Sequence, residues 1–294
     1  MISISSRRIA LAAALAAAGT AGAAQAQDES KGTIDLAYVE WASEVASTNV
    51  VRAVLEQQGF EVNMNSLSAA VMWQAVGTGD ADAIVAAWLP TTHGDYLERV
   101  KDDVENLGPN LEGTKLGLVV PSYTHDKVSS IADLNDNADL FDGQIVGIDP
   151  GAGLMAQAEE AMETYELDEL SLQSSSGAAM TSSLGNAIQN EEDIVVTGWT
   201  PHWMFARWDL EYLDDPEKAF GDAEQINTIV HNGLEDEMPE AYAILDNFHW
   251  TPEQMGEVML MNQEEGADPY ENAKQWVEEN QDTVDEWLEG TSDS

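Results

Sequence analysis

The chain has 294 residues, with 55 Asp and Glu against 11 Lys and Arg, a formal charge of −44 and no cysteine. Such an acidic excess excludes nucleic-acid binding, which needs clustered Lys and Arg to neutralise phosphates, and the lack of cysteine excludes disulfides and a bacterial lipid anchor. Apolar residues make up 44% of the chain and nine are tryptophan, which points to a folded protein with an acidic surface rather than to disorder.

The chain opens Met1-Ile2-Ser3-Ile4-Ser5-Ser6-Arg7-Arg8, an Ala- and Leu-rich run follows from Ile9 to Ala23, and Ala24-Gln25-Ala26 is a small-x-small site. Residues 1–26 therefore read as a cleaved secretory signal peptide, too short in its apolar run to span a membrane. Paired arginines suit the general secretory route and the twin-arginine route alike. The expectation is an exported protein of the periplasm. Self-repulsion at this charge is tolerable where salt screens it, because the Debye length shrinks from ~10 Å at 0.1 M to ~3 Å at 1 M. A salt-loving bacterial source is expected.

Beyond the leader, β-rich runs alternate with helical patterns, the rhythm of an α/β fold. Strands are expected at 34–39, 61–66, 83–88, 115–120, 144–148 and 194–197, and helices at 47–58, 70–78, 154–165 and 182–189. Gly59 and Gly79 end the first two helices. From Glu253 onward the chain reads as helical and acidic, with Trp276 and Trp287 on one side. So long a chain exceeds what one small core holds, so two lobes are expected. Extended segments 116–121 and 226–230 are the crossings, which gives 31–118 and 227–290 to the first lobe and 119–226 to the second.

Three tryptophans, Trp41, Trp88 and Trp199, stand at the C-terminal ends of expected strands, where ligands of open α/β sheets collect. Aromatic faces are the main means of holding a quaternary ammonium, which has no N–H to donate. Trp73, Trp203, Trp208, Trp250, Trp276 and Trp287 read instead as packing residues. Asp149-Pro150-Gly151-Ala152-Gly153-Leu154 follows a strand and opens a helix, a backbone that suits an anion but lacks a P-loop lysine and a complete dinucleotide fingerprint. By itself it reads as an ordinary strand-to-helix turn. His93, five residues after Trp88, can donate one N–H to a carboxylate while uncharged. His125, His231 and His249 read as structural or exposed, and His202 is held in reserve for its closeness to Trp199. Ser174-Ser175-Ser176-Gly177 lacks a Gly-x-Ser-x-Gly elbow, and zinc-ligand spacing is absent. No catalytic residue, metal or cofactor is expected.

The segments 36–44, 87–93, 147–153 and 197–205 together resemble the OpuAC-like glycine betaine-binding proteins of ABC importers. The resemblance implies a two-lobed periplasmic-binding-protein fold, type II-like, that closes on glycine betaine or proline betaine and delivers it to a membrane permease. It implies a cage of Trp41, Trp88 and Trp199, with the ligand carboxylate on the backbone N–H groups of Gly153 and Leu154 and on the ring of His93. Leu154 replaces the isoleucine typical of the family, a change that a backbone contact tolerates. Choline or carnitine is the nearest alternative ligand, and a secreted small-ester hydrolase using Ser175 is the alternative from another class.

Overall fold

The computed structural model describes residues 30–291, so the expected leader and its cleavage site lie outside the described residues. The first stretch runs β1 (Thr33–Tyr38), α1 (Ala42–Gln57), β2 (Glu61–Ser66), α2 (Ala69–Thr78), β3 (Ala83–Leu89), α3 (Gly94–Val100) and β4 (Val104–Glu112). The second runs β5 (Lys115–Pro121), α4 (Ser122–His125), β6 (Gln144–Val146), α5 (Gly153–Thr164), β7 (Ser171–Gln173), α6 (Gly177–Asn190), β8 (Val196–Thr200), α7 (Met204–Arg207) and β9 (Leu210–Tyr212). The last comprises β10 (Gln225–His231) and five helices, α8 (Leu234–Glu237), α9 (Pro239–Asn247), α10 (Pro252–Met261), α11 (Pro269–Glu279) and α12 (Gln281–Trp287).

Two five-stranded sheets result, ordered β2-β1-β3-β10-β4 and β7-β6-β8-β5-β9. In each, three parallel strands are followed by one antiparallel to both of its neighbours. That antiparallel strand, β5 or β10, is the first the chain lays down after crossing from the other sheet. β3, interior to its sheet, is covered on both faces, so its sequence is continuously apolar rather than alternating; all seven of its residues are buried. Edge strand β2 is polar and partly exposed. This is the two-lobed α/β architecture expected from the sequence.

The crossings differ from those read in the sequence. β5 pairs along its length with β8 and β9, so all of 115–121 lies in the second sheet and the chain changes sheets at Gly113-Thr114. β10 likewise lies wholly in the first sheet, and the return runs through 213–224. An apolar strand after a Gly looks the same whichever sheet accepts it, so pairing alone decides the boundary.

Helix α1 starts at Ala42, five residues before the expected Ser47, and α6 starts at Gly177, where the Ser176 hydroxyl accepts the Ala179 N–H at 3.2 Å. The tail helices pack as expected: the indoles of Trp276 and Trp287 stack with centroids 6.1 Å apart, and Phe248 meets Trp287 edge-on at 4.9 Å. Both indole N–H groups are satisfied, Trp287 by the His249 carbonyl and Trp276 by Glu257. Among the described residues no helix is long and apolar enough to cross a membrane.

Candidate functional site

The C-terminal ends of the parallel strands in both sheets face one cleft. From the first lobe come Trp41, just past β1, Trp88 in β3 and His93, just past β3; from the second come Gly153 and Leu154 at the start of α5 and Trp199 in β8. These six residues line a single pocket of about 30 Å³, far smaller than the ~300 Å³ at which small-molecule sites begin. The indoles of Trp41, Trp88 and Trp199 are buried in its wall.

Local sequence explains the placement of His93. The Trp88 N–H donates to His93 Nδ1 at 3.1 Å, and the His93 N–H returns to the Trp88 carbonyl at 2.8 Å. With Nδ1 accepting, the ring proton sits on Nε2, which is left as a donor. Burial pushes the imidazole down to about 4, so the ring is neutral at physiological pH. Trp41 stacks on it at 6.2 Å and Trp73 meets it edge-on at 5.9 Å. Trp73 is core, as expected, and it also buttresses the site.

At the start of α5, the Gly153 and Leu154 N–H groups precede the first intrahelical hydrogen bonds, and no protein acceptor engages them among the described residues. They supply a positive helix end at the cavity wall. A side chain at 153 is impossible in this arrangement, because a Cβ there would lie 2.0 Å from the Thr92 carbonyl oxygen of the opposite lobe. Gln157, one turn on, donates to the Thr92 hydroxyl at 3.2 Å. The two lobes are therefore in direct contact around the cavity.

Ser43, Thr92, Leu116, Ile148 and Ala152 also line it, and none was singled out in the sequence. Leu116 faces the site because it pairs with Trp199 in the β5–β8 ladder. His202, held in reserve, is not in the cavity wall; it packs edge-on behind Trp199 at 4.5 Å, with Nδ1 accepting the Met204 N–H. Burial lowers its ring to about 3. Trp203 and Trp208 pack tilted against each other further out, with centroids 5.4 Å apart, along a second groove that Trp199 also lines. The Ser175 hydroxyl donates to the Gly147 carbonyl at 2.6 Å and is not paired with a histidine. No cluster of three metal-ligating side chains occurs among the described residues.

One buried carboxyl follows the pocket-lining Ser43 in the chain. Glu44, in the first turn of α1, is fully buried; its Oε2 accepts the Val39 N–H at 2.6 Å, and Oε1 has no partner. Desolvation raises it to about 8.

Residues 32–279 match the family model described as the substrate binding domain of ABC-type glycine betaine transport systems. The glycine betaine/carnitine transport binding protein GbuC of Listeria monocytogenes is 52% identical over 148 residues, covering 50% of this chain and 49% of that protein, so the match spans about half the relative's length. Among solved structures, lactococcal OpuAC in its closed form with glycine betaine is 47% identical with a TM-score of 0.83, covering 88% of this chain and all of that one. An ABC-transporter choline-binding protein in complex with choline is 27% identical with a TM-score of 0.83, covering 88% and 92% of the two chains. The chain belongs to the family of substrate-binding domains of ABC-type glycine betaine transport systems.

Proposed function

We propose that this protein is an extracytoplasmic receptor that binds glycine betaine between its lobes and hands it to the membrane permease of an ABC importer. One observation carries the reading: a single small pocket between the lobes has three indoles in its wall together with two free helix-end N–H groups and a neutral histidine donor. Glycine betaine presents a methylated cation and a carboxylate on one short molecule. Its cation suits Trp41, Trp88 and Trp199, and its carboxylate suits the Gly153 and Leu154 N–H groups and His93 Nε2. Each desolvated cation–π contact supplies ~2 kcal/mol and each charge-assisted hydrogen bond ~1.5–3 kcal/mol. Against at least ~4 kcal/mol of association entropy, the surplus corresponds to an affinity on the order of micromolar.

Proline betaine offers the same two groups. Choline, which a 27% identical relative binds, lacks the carboxylate and would leave the start of α5 and His93 unpaired. Residues 1–26 fit a leader removed on export to the periplasm, so the mature exported protein should begin at Gln27. A receptor returns its ligand unaltered. Mass spectrometry of glycine betaine released after saturating the folded protein should recover the intact compound in stoichiometric amount; recovery of a cleaved or demethylated product would contradict the reading.

A further inference from the structure

The turn ahead of α5 is gripped from the opposite lobe. Trp41 Nε1–H donates to Asp149 Oδ2 at 3.0 Å, and the Tyr96 hydroxyl donates to the Gly151 carbonyl at 2.7 Å. Trp41 lies on the first lobe and Asp149 on the second, so their bond exists only while the lobes are together. The same indole lines the cavity. A carboxylate that accepts an indole N–H fixes the rotation of the ring and pushes electron density into it, which strengthens the attraction of its face for a cation. Asp149 also places negative charge near the start of α5, which opposes an anion bound there. Any net benefit of Asp149 must therefore come through Trp41.

We propose that Asp149 is a positioning residue for the bound cation: its carboxylate holds the Trp41 indole in the closed cage and retains the ligand by slowing reopening. This rests on the betaine-receptor reading above. The bond forms after the ligand is captured, so its loss falls on the dissociation rate while the association rate stays close to that of the wild type.

The test is a double-mutant cycle with Asp149→Ala and Trp41→Phe, in which Phe keeps an aromatic face and removes the N–H. Affinity for glycine betaine is read by calorimetry and the rate constants by stopped-flow tryptophan fluorescence. Asp149→Ala is expected to weaken binding about ten-fold in the Trp41 protein, through faster dissociation, and by less than about two-fold in the Trp41→Phe background. A residue with a merely structural role would cost the same in both. Equal losses in the two backgrounds, no loss in either, or a loss confined to the association rate would overturn the role of Asp149 while leaving the receptor reading intact. A folded wild type that binds no betaine would overturn both together. Should Asp149→Ala fail to fold, Asp149→Asn carries the same cycle, with about a three-fold loss expected because an acceptor oxygen is retained while the charge is removed.

Discussion

Each of the three indoles in the cavity wall brings an aromatic face, which is what a methylated cation requires, and Trp199 is the one contributed by a strand of the second lobe. Trp199→Ala is expected to weaken glycine betaine binding by about 1–2 kcal/mol in a protein that still folds; calorimetry on the variant checks this, and unaltered affinity would remove Trp199 from the site. His93 makes a second prediction. Burial holds its ring near 4, below the ordinary 6.5, so it stays neutral and keeps its Nε2 proton throughout the range from pH 6 to 8. Affinity should be flat across that range, and an inflection near 6.5 would mean that His93 titrates as an exposed imidazole. Trp41, Trp88, Trp199, His93 and the Gly153 turn were legible because each is an unusual residue type just at or past a strand end. Thr92, Ser43, Leu116, Ile148 and Ala152 were not, because their types are ordinary and they reach the cavity only through pairing and lobe contact.

Two carboxyls control how elements meet around the site. Glu44 lies in the first turn of α1 and is raised to about 8 from 4.5 by burial. The folded state holds this proton more tightly than the unfolded state, so the contribution to stability is complete below pH 4.5 and is lost as pH rises through 8. Glu44→Gln should match the wild type near pH 5 and exceed it in thermal melts at pH 8 to 9; an unchanged gap across that range would contradict the buried, protonated acid. His93 and His202 act in the opposite sense. Their depressed values, about 4 and about 3, give stability that is complete above 6.5 and lost as pH falls through those values. Glu224, on the segment returning to the first sheet, accepts the backbone N–H groups of Thr91 and Thr92 and the Thr92 hydroxyl. Glu224→Ala should cost about 1–2 kcal/mol in urea unfolding, because it leaves part-buried donors without their acceptor. Most strands and helices around the site were readable from β-rich runs and glycine stops. The extra turns at the start of α1 and α6 were not, because Ser43, Glu44 and Gly177 carry no helical pattern of their own. Glu224 was equally invisible, one acid among 55 until the chain returns beside the loop after β3.

On the scale of the whole molecule, two lobes with the same strand plan close on one cavity beneath a surface of very high negative charge. That charge repels itself in the folded state, and salt relieves it. Melting temperature should therefore rise between 0.1 M and 2 M salt, and a flat series would remove the halophilic reading. Glycine betaine is a zwitterion with no net charge for the surface to steer, so its affinity should change little over the same series. The two-lobed α/β class was legible from the alternation of elements, whereas the crossings were not, since only hydrogen-bond pairing assigns β5 and β10 to their sheets. The measurement that tests the central claim most directly is isothermal titration calorimetry of the mature protein with glycine betaine, proline betaine and choline in molar salt. Saturable one-to-one binding of both betaines, with choline much weaker, is the predicted result; choline binding as tightly as glycine betaine, or no betaine binding by a folded sample, would contradict a site that joins a tryptophan cage to a carboxylate-binding helix end.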